Sequence, residues 1–183
     1  MKPFTVSLIA LSFTALVGCA QSTANTQKTD EAPTQVTAEL QQSILNFSHP
    51  SPHLMAGGQP KMSDFVALNE AGVSAVINFR SHPEMRDIHE AQWTTAQQMA
   101  YYHIPIAGAD DLSEENVARL HQTLAANAQQ NVFMHCASSN RVGAMMALRA
   151  AWHQGASKEE ALAIGEQYGL GSLRKHVEQL LSE

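Results

Sequence analysis

Cys136 and Arg141 are the residues of this chain whose types and spacing bear most directly on chemistry. They bracket a short run of small and polar residues, Ala137-Ser138-Ser139-Asn140. An apolar run ending at His135 precedes the bracket, and a second apolar run opens at Val142. A strand ending at Cys136 and a helix beginning near Arg141 would leave a loop whose backbone N–H groups can turn inward. Those amides and the helix N-terminus form a cradle for an anion. Arg141 adds a planar fork that can hold two oxygens at once. Ala137, Ser138, Ser139 and Asn140 are thus the expected binding loop, and the same positive surroundings favour the thiolate of Cys136. A thiolate facing a tetrahedral-anion pocket is what transfer of a phosphoryl group or a sulfur atom requires. A free cysteine is more often a small buried hydrophobe. An arginine closing a small polar loop between two apolar elements argues for the chemical role.

Asp110 and Asp111 follow a second predicted strand, on a loop expected at the same edge of the sheet, where they can support the helix capped by Ser113 through its dipole. Arg80 ends an apolar run and can serve either the anion site or a structural ion pair. His135 is expected to brace the loop, His103 to be a satisfied core histidine, and Met145 and Met146 to fill the core.

The elements that must position these groups alternate along the chain. Residues 61–71 predict a short helix stopped by Gly72. Residues 73–79, a β-branched apolar run, predict a buried strand. A polar-faced helix over 87–99 is followed by a strand over 101–106. The helix capped by Ser113 carries Val117, Leu120 and Leu124 at helical spacing. A third strand covers 131–135. The helix from about Arg141 past Trp152 is apolar nearly all round as far as Leu148 and reads as the central buried helix. Ser157 and Glu160 form a capping box for the next helix, ended by Gly169, and a last helix runs from Ser172. Strands alternating with helices predict an α/β fold of three layers, a mainly parallel sheet flanked by helices, with its site at the carboxyl ends of the strands.

The chain has 183 residues, 44% of them hydrophobic, which is room for one domain. A net charge of −6 argues against a nucleic-acid partner. Nine histidines are scattered without ligand spacing, so neither a metal nor another cofactor is expected. At the N-terminus Lys2 precedes an apolar segment too short for a stable span, ending in Leu16-Val17-Gly18-Cys19. This resembles the bacterial lipobox. The resemblance implies a signal peptide over 1–18, lipidation of Cys19, and anchoring at the cell envelope. Ala20 after the cysteine suits the outer membrane facing the periplasm. Residues 19–40, polar with little to bury, are expected to be a disordered tether, and 41–183 the folded domain. With Cys19 lipidated, Cys136 is the one remaining thiol.

His135-Cys136 with Arg141 at a strand–helix junction resembles the signature of cysteine-dependent protein tyrosine and dual-specificity phosphatases. Together with Gly57-Gly58-Gln59-Pro60, Val76-Ile77-Asn78-Phe79-Arg80 and Ile104-Pro105-Ile106, it is similar to the beta-lactamase-hydrolase-like family with a phosphatase-like domain. The resemblance implies a hydrolase in which Cys136 attacks phosphorus, Arg141 holds the oxygens, and Asp110 or Asp111 protonates the leaving group and then activates water; the partner would be a small anionic or phosphorylated substrate. Two features depart from the phosphatase pattern. Four residues rather than five separate Cys136 from Arg141, and Val142 stands where a hydroxyl residue is usual. The shorter loop resembles that of rhodanese-like sulfurtransferases, in which Cys136 would carry a persulfide. A catalytically silent anion- or partner-binding lipoprotein is the third reading.

Overall fold

The computed structural model describes residues 31–182. The chain forms α1 (Glu31–Ser43), β1 (Ser48–Ser51), β2 (Leu54–Gly57), α2 (Asp64–Glu70), β3 (Val73–Asn78), α3 (Glu90–Ala96), β4 (Ala100–His103), α4 (Glu114–Ala126), β5 (Asn131–His135), α5 (Asn140–Gln154), α6 (Lys158–Gln167) and α7 (Arg174–Leu180). Short 3₁₀ turns at Pro83–Met85 and Ala109–Asp111 complete it. The five strands form one sheet in the order β1-β2-β5-β3-β4, parallel throughout except for the antiparallel β1–β2 pair.

This is the expected α/β architecture, with three differences. The first two strands were not anticipated. Each is only four residues long, and Pro50 and Pro52 interrupt the pattern; proline is tolerated at a sheet edge, where its missing N–H is not needed. Helix α1 begins inside the stretch expected to be a tether, and Leu40 and Ile44 bury themselves against Phe65, Leu68 and Phe133. Two apolar side chains one turn apart are enough to fix the end of a polar helix to a core. The second predicted strand, over 101–106, is shorter than expected. Its regular ladder ends at His103, although the Ile104 and Ile106 amides still donate to the Asn78 and Phe79 carbonyls at 2.9 and 3.1 Å. The lipobox and the earlier part of the tether lie outside the described residues.

The core has two halves, one on each face of the sheet. One packs α5 with α4, α6 and α7 and includes Ile77, Met134, Val142, Met145 and Leu148. The other packs α1 and α2 over Val76 and Phe133. Helix α5 is central as expected, with Val142 through Leu148 all buried. It meets α6 at glycine: a Cβ on Gly143 would lie 2.6 Å from the Gly165 carbonyl oxygen and 2.1 Å from the Leu170 nitrogen. Any side chain there would push the two helices apart. The Ser157–Glu160 capping box is formed, and Gly169 turns the chain at φ +91.

Candidate active site

Gly57, His135, Asn78 and His103 lie side by side across the sheet as the last residues of β2, β5, β3 and β4. The next residues of each strand therefore converge at one edge: Gly58 and Gln59, Cys136, Phe79 and Arg80, and Ile104 to Ile106. The four motifs that looked separate in the sequence are one rim.

Cys136 is 1% exposed and belongs to the main apolar core, as a structural cysteine would. What distinguishes it is the loop that follows. The Ala137 carbonyl accepts from Gln59 N at 3.4 Å, and the Ser138 carbonyl accepts from Asn46 Nδ2 at 3.0 Å, so carbonyls point outward to the rim. Ser139 is buried at φ +69, and its hydroxyl donates to the Tyr168 carbonyl at 2.9 Å. A left-handed turn at a residue with a Cβ costs about 1–2 kcal/mol. Packing holds it there: a Cβ on Gly169 would touch the Ser139 side chain at 2.7 Å. The first intrahelical bond of α5 runs from Gly143 N to the Ser139 carbonyl at 3.0 Å. The Asn140, Arg141 and Val142 amides are then the open end of the helix. The Asn140 side chain turns away from the loop. Its oxygen accepts from Gly171 N and Leu173 N, and its nitrogen donates to the Ser172 hydroxyl at 2.9 Å. Of the loop side chains expected to bind an anion, only Ser138 keeps a hydroxyl not bonded to protein among the described residues. Ser139 and Asn140 can offer backbone amides alone.

Arg141 decides what the loop can do. A guanidinium has five N–H donors. Nη1 donates to Glu84 Oε2 at 2.7 Å and to the Ile106 carbonyl at 2.6 Å, and Nη2 donates to Glu84 Oε1 at 2.8 Å. Glu84 thus grips the Nη1–Nη2 end of the fork. The Nε–H and the second Nη2 hydrogen share the other edge, which has no protein acceptor oxygen among the described residues. Arg141 is held above its ordinary pKa, first by hydrogen bonding to Glu84; burial opposes this, and the adjacent Cys136 adds to it through charge and hydrogen bonding. Glu84 is held well below the usual carboxylate range, chiefly by the hydrogen bond from Arg141 and, against burial, by the Ser81 amide and hydroxyl at 2.8 Å each. Arg80 joins the same group, with Nε 3.4 Å from Glu84 Oε1 and Nη1 donating to Gln59 Oε1 at 2.8 Å. The arginine that offered two roles in the sequence forms an ion pair.

The two aspartates separate. Asp111 accepts from the Ala107 amide at 2.6 Å, and its carbonyl accepts from Asn116 Nδ2 at 2.9 Å, so it shapes its own loop. Asp110 is exposed and makes no hydrogen bond among the described residues. Their loop is tied to the site through the Ile106 carbonyl on Arg141.

Beneath the rim lies a buried pair that the sequence did not reveal. His135 Nε2 donates to Glu90 Oε1 at 2.7 Å, and both side chains are 0% exposed. Gln59 Nε2 donates to Glu90 Oε2 at 2.7 Å and links this pair to Arg80. His135 therefore braces the residue next to Cys136, as expected, with Glu90 as its partner. His103 is satisfied, donating to the Arg80 carbonyl at 2.7 Å, but it is half-buried at the rim rather than in the core. Glu84 had one local signal, its position one turn after Arg80; Glu90 had none. Among the described residues no group of three or more metal-ligating side chains forms.

None of the curated proteins matches the chain. Solved structures share the fold. A DUF442 protein from Shewanella putrefaciens CN-32 aligns over 79% of this chain and 95% of its own at 23% identity, with a TM-score of 0.61. A structure described as a phosphatase, from Neisseria meningitidis Z2491, aligns over 72% of this chain and 96% of its own at 21% identity and TM-score 0.60. TpbA of P. aeruginosa, solved in complex with phosphotyrosine, aligns over 76% and 91% at 21% identity and TM-score 0.53. The family model described as DSP-PTPase phosphatase fused to NAD+ kinase matches residues 20–181, nearly the whole chain. With the Cys136 loop closed by Arg141 at the carboxyl edge of a phosphatase-fold sheet, the chain belongs to this DSP-PTPase family, within the cysteine-dependent phosphatase superfamily.

Proposed function

We propose that the protein is a cysteine-dependent phosphomonoester hydrolase of the tyrosine and dual-specificity type, held at the bacterial envelope by lipid on Cys19. The observation that carries the reading is the division of the Arg141 fork. Glu84 and the Ile106 carbonyl hold one end, and the Nε edge remains beside Cys136. Two parallel donors on a fixed plane suit two oxygens of a phosphoryl group. The open amides of α5 suit the third.

In the proposed reaction the Cys136 thiolate attacks phosphorus, and the P–O bond to the leaving group breaks. Asp110 gives its proton to the departing oxygen. A phosphocysteine forms, water attacks it with Asp110 as base, and phosphate leaves with the thiolate restored. Asp111 shapes the loop. Ser138 is the hydroxyl available to aid departure of the thiolate, in place of Val142. The substrate is a small phosphorylated molecule or side chain reached from the periplasmic face. The four-residue loop also suits a persulfide, and the assay is built to separate the two.

Purified protein is offered p-nitrophenyl phosphate in one arm and thiosulfate with cyanide in the other. Turnover of the phosphate ester, lost in Cys136→Ser, supports the reading. Thiocyanate formation without phosphate release replaces it with sulfur transfer. For the anchor, palmitate labelling and membrane fractionation should both disappear in Cys19→Ala; labelling that persists would refute it.

A further inference from the structure

Among the described residues Arg149 has no counter-ion. It sits on α5, half-buried, and its Nε is buried without a hydrogen-bond partner. No carboxylate among the described residues lies within ion-pair distance, whereas Arg80, Arg141 and Arg174 each meet a glutamate. Burial pushes its pKa down, and only the neighbouring Tyr168 works the other way. A guanidinium drawn out of water without a partner is costly, and proteins normally supply one.

The side chain lines a pocket of about 280 Å³ at the edge of the sheet where β2 and β5 begin, opposite to Cys136. Ser51, His53, Asn127 and Gln130 form its polar wall, and Leu54 and Leu124 are its apolar floor. Among the described residues no acidic one lines it. Gln130 Oε1 is taken by the Ser74 hydroxyl at 3.1 Å, which leaves its amide N–H groups as donors. Asn131 Oδ1 meets His53 Nδ1 at 2.9 Å and fixes that ring at the mouth.

We propose that this pocket is a second binding site, for a small organic oxyanion with a short apolar portion, in which Arg149 pairs with the oxyanion and Leu54 and Leu124 take the chain. It is separate from the Cys136 loop and does not depend on the reaction proposed there.

The test is thermal unfolding of the full chain at fixed pH and ionic strength, titrated with butyrate and, in parallel, with inorganic phosphate. Butyrate should raise the Tm by a few degrees at concentrations well above its Kd, since a ligand bound only to the folded state stabilises by mass action. Arg149→Met should lose that response and show an anion-free Tm no lower than wild type. Arg141→Met should keep it. A response that persists in Arg149→Met, vanishes in Arg141→Met, or is absent from wild type overturns the proposal. If Arg149→Met does not fold, Gln130→Glu decides. A carboxylate supplied from the wall should raise the anion-free Tm and abolish the butyrate response, and an undiminished response refutes the site.

Discussion

Arg141 and Arg149 stand on the same helix, about two turns apart, and meet opposite surroundings. Both are taken partly out of water. Arg141 is gripped by Glu84 and the Ile106 carbonyl, and its pKa rises. Arg149 meets no carboxylate among the described residues, and its pKa falls. The fold has spent a glutamate, a carbonyl and a serine on aiming the first guanidinium and nothing comparable on the second. An aimed cation belongs to a site whose geometry must be ready before the anion arrives; an unpartnered one leaves its charge to be met from outside.

The largest effects should come from the aimed side. Arg141→Met should lower kcat/KM for a phosphate ester by on the order of 10³ or more, the scale of losing an arginine that stabilises phosphoryl-transfer charge. Arg149→Met should leave kcat/KM within about twofold. Equal losses in the two variants would erase the distinction between them.

Next come the aspartates. Asp110→Asn should cut turnover of an alkyl phosphate by about 10²–10⁴ and that of p-nitrophenyl phosphate less, because a good leaving group needs little protonation. Asp111→Asn should chiefly lower stability, by about 1 kcal/mol for its bond to the Ala107 amide. Steady-state rates on the two esters, with chemical denaturation of each variant, separate the roles. If Asp111→Asn shows the leaving-group dependence instead, the assignments exchange.

Glu84→Gln should keep the fold near neutral pH and lose about 10- to 100-fold in kcat/KM as the Arg141 fork loosens. It also has a pH signature. The Glu84 carboxyl is depressed in the folded state from 4.5, so its stabilisation is complete above that value and is lost as pH falls below it. Stability of Glu84→Gln, followed by denaturant unfolding, should therefore decline less below pH 4.5 than that of wild type. Parallel declines would mean the pair contributes nothing to folding.

The smallest effect belongs to the far side of the helix. His121, stacked on His153 with ring centroids 4.6 Å apart, has its pKa lowered by desolvation first, then by His153 and Arg149. Its stabilisation is present above 6.5 and is lost as pH falls below it, where the unfolded chain takes up the proton first. His121→Gln should flatten that part of the profile. Unfolding midpoints that follow wild type through this window would remove His121 from the account.

How much was legible follows from distance along the chain. The Cys136 loop could be read because strand, turn and helix are contiguous. β3, β5 and the buried α5 announced themselves by composition. β1 and β2 did not: strands of four residues, with Pro50 in the first and Pro52 between the two, carry no period, and they become strands because β5 offers an edge to β2 and β2 offers one to β1. Helix α1 looked like a tether because its buried side carries few apolar residues, Val36 and Leu40, with Ile44 just beyond its end. Within the site, Asp110 and Asp111 were indistinguishable neighbours until the loop folded and the Ala107 amide took one of them.

The sequence by itself determined the cysteine loop, the arginine that closes it, and the sheet edge where they stand, because local patterning sets where a strand ends and a helix starts. Only the tertiary structure chose the partners. Glu84 reaches Arg141 across 57 positions of chain, and Glu90 reaches His135 across 45. The parallel strands bring their ends together and leave no trace of it in the spacing. A charge taken out of water is stabilised by a partner from wherever the packed chain supplies one. In the sequence Arg141 and Arg149 are two arginines on one helix; the neighbours that separate them come from other elements.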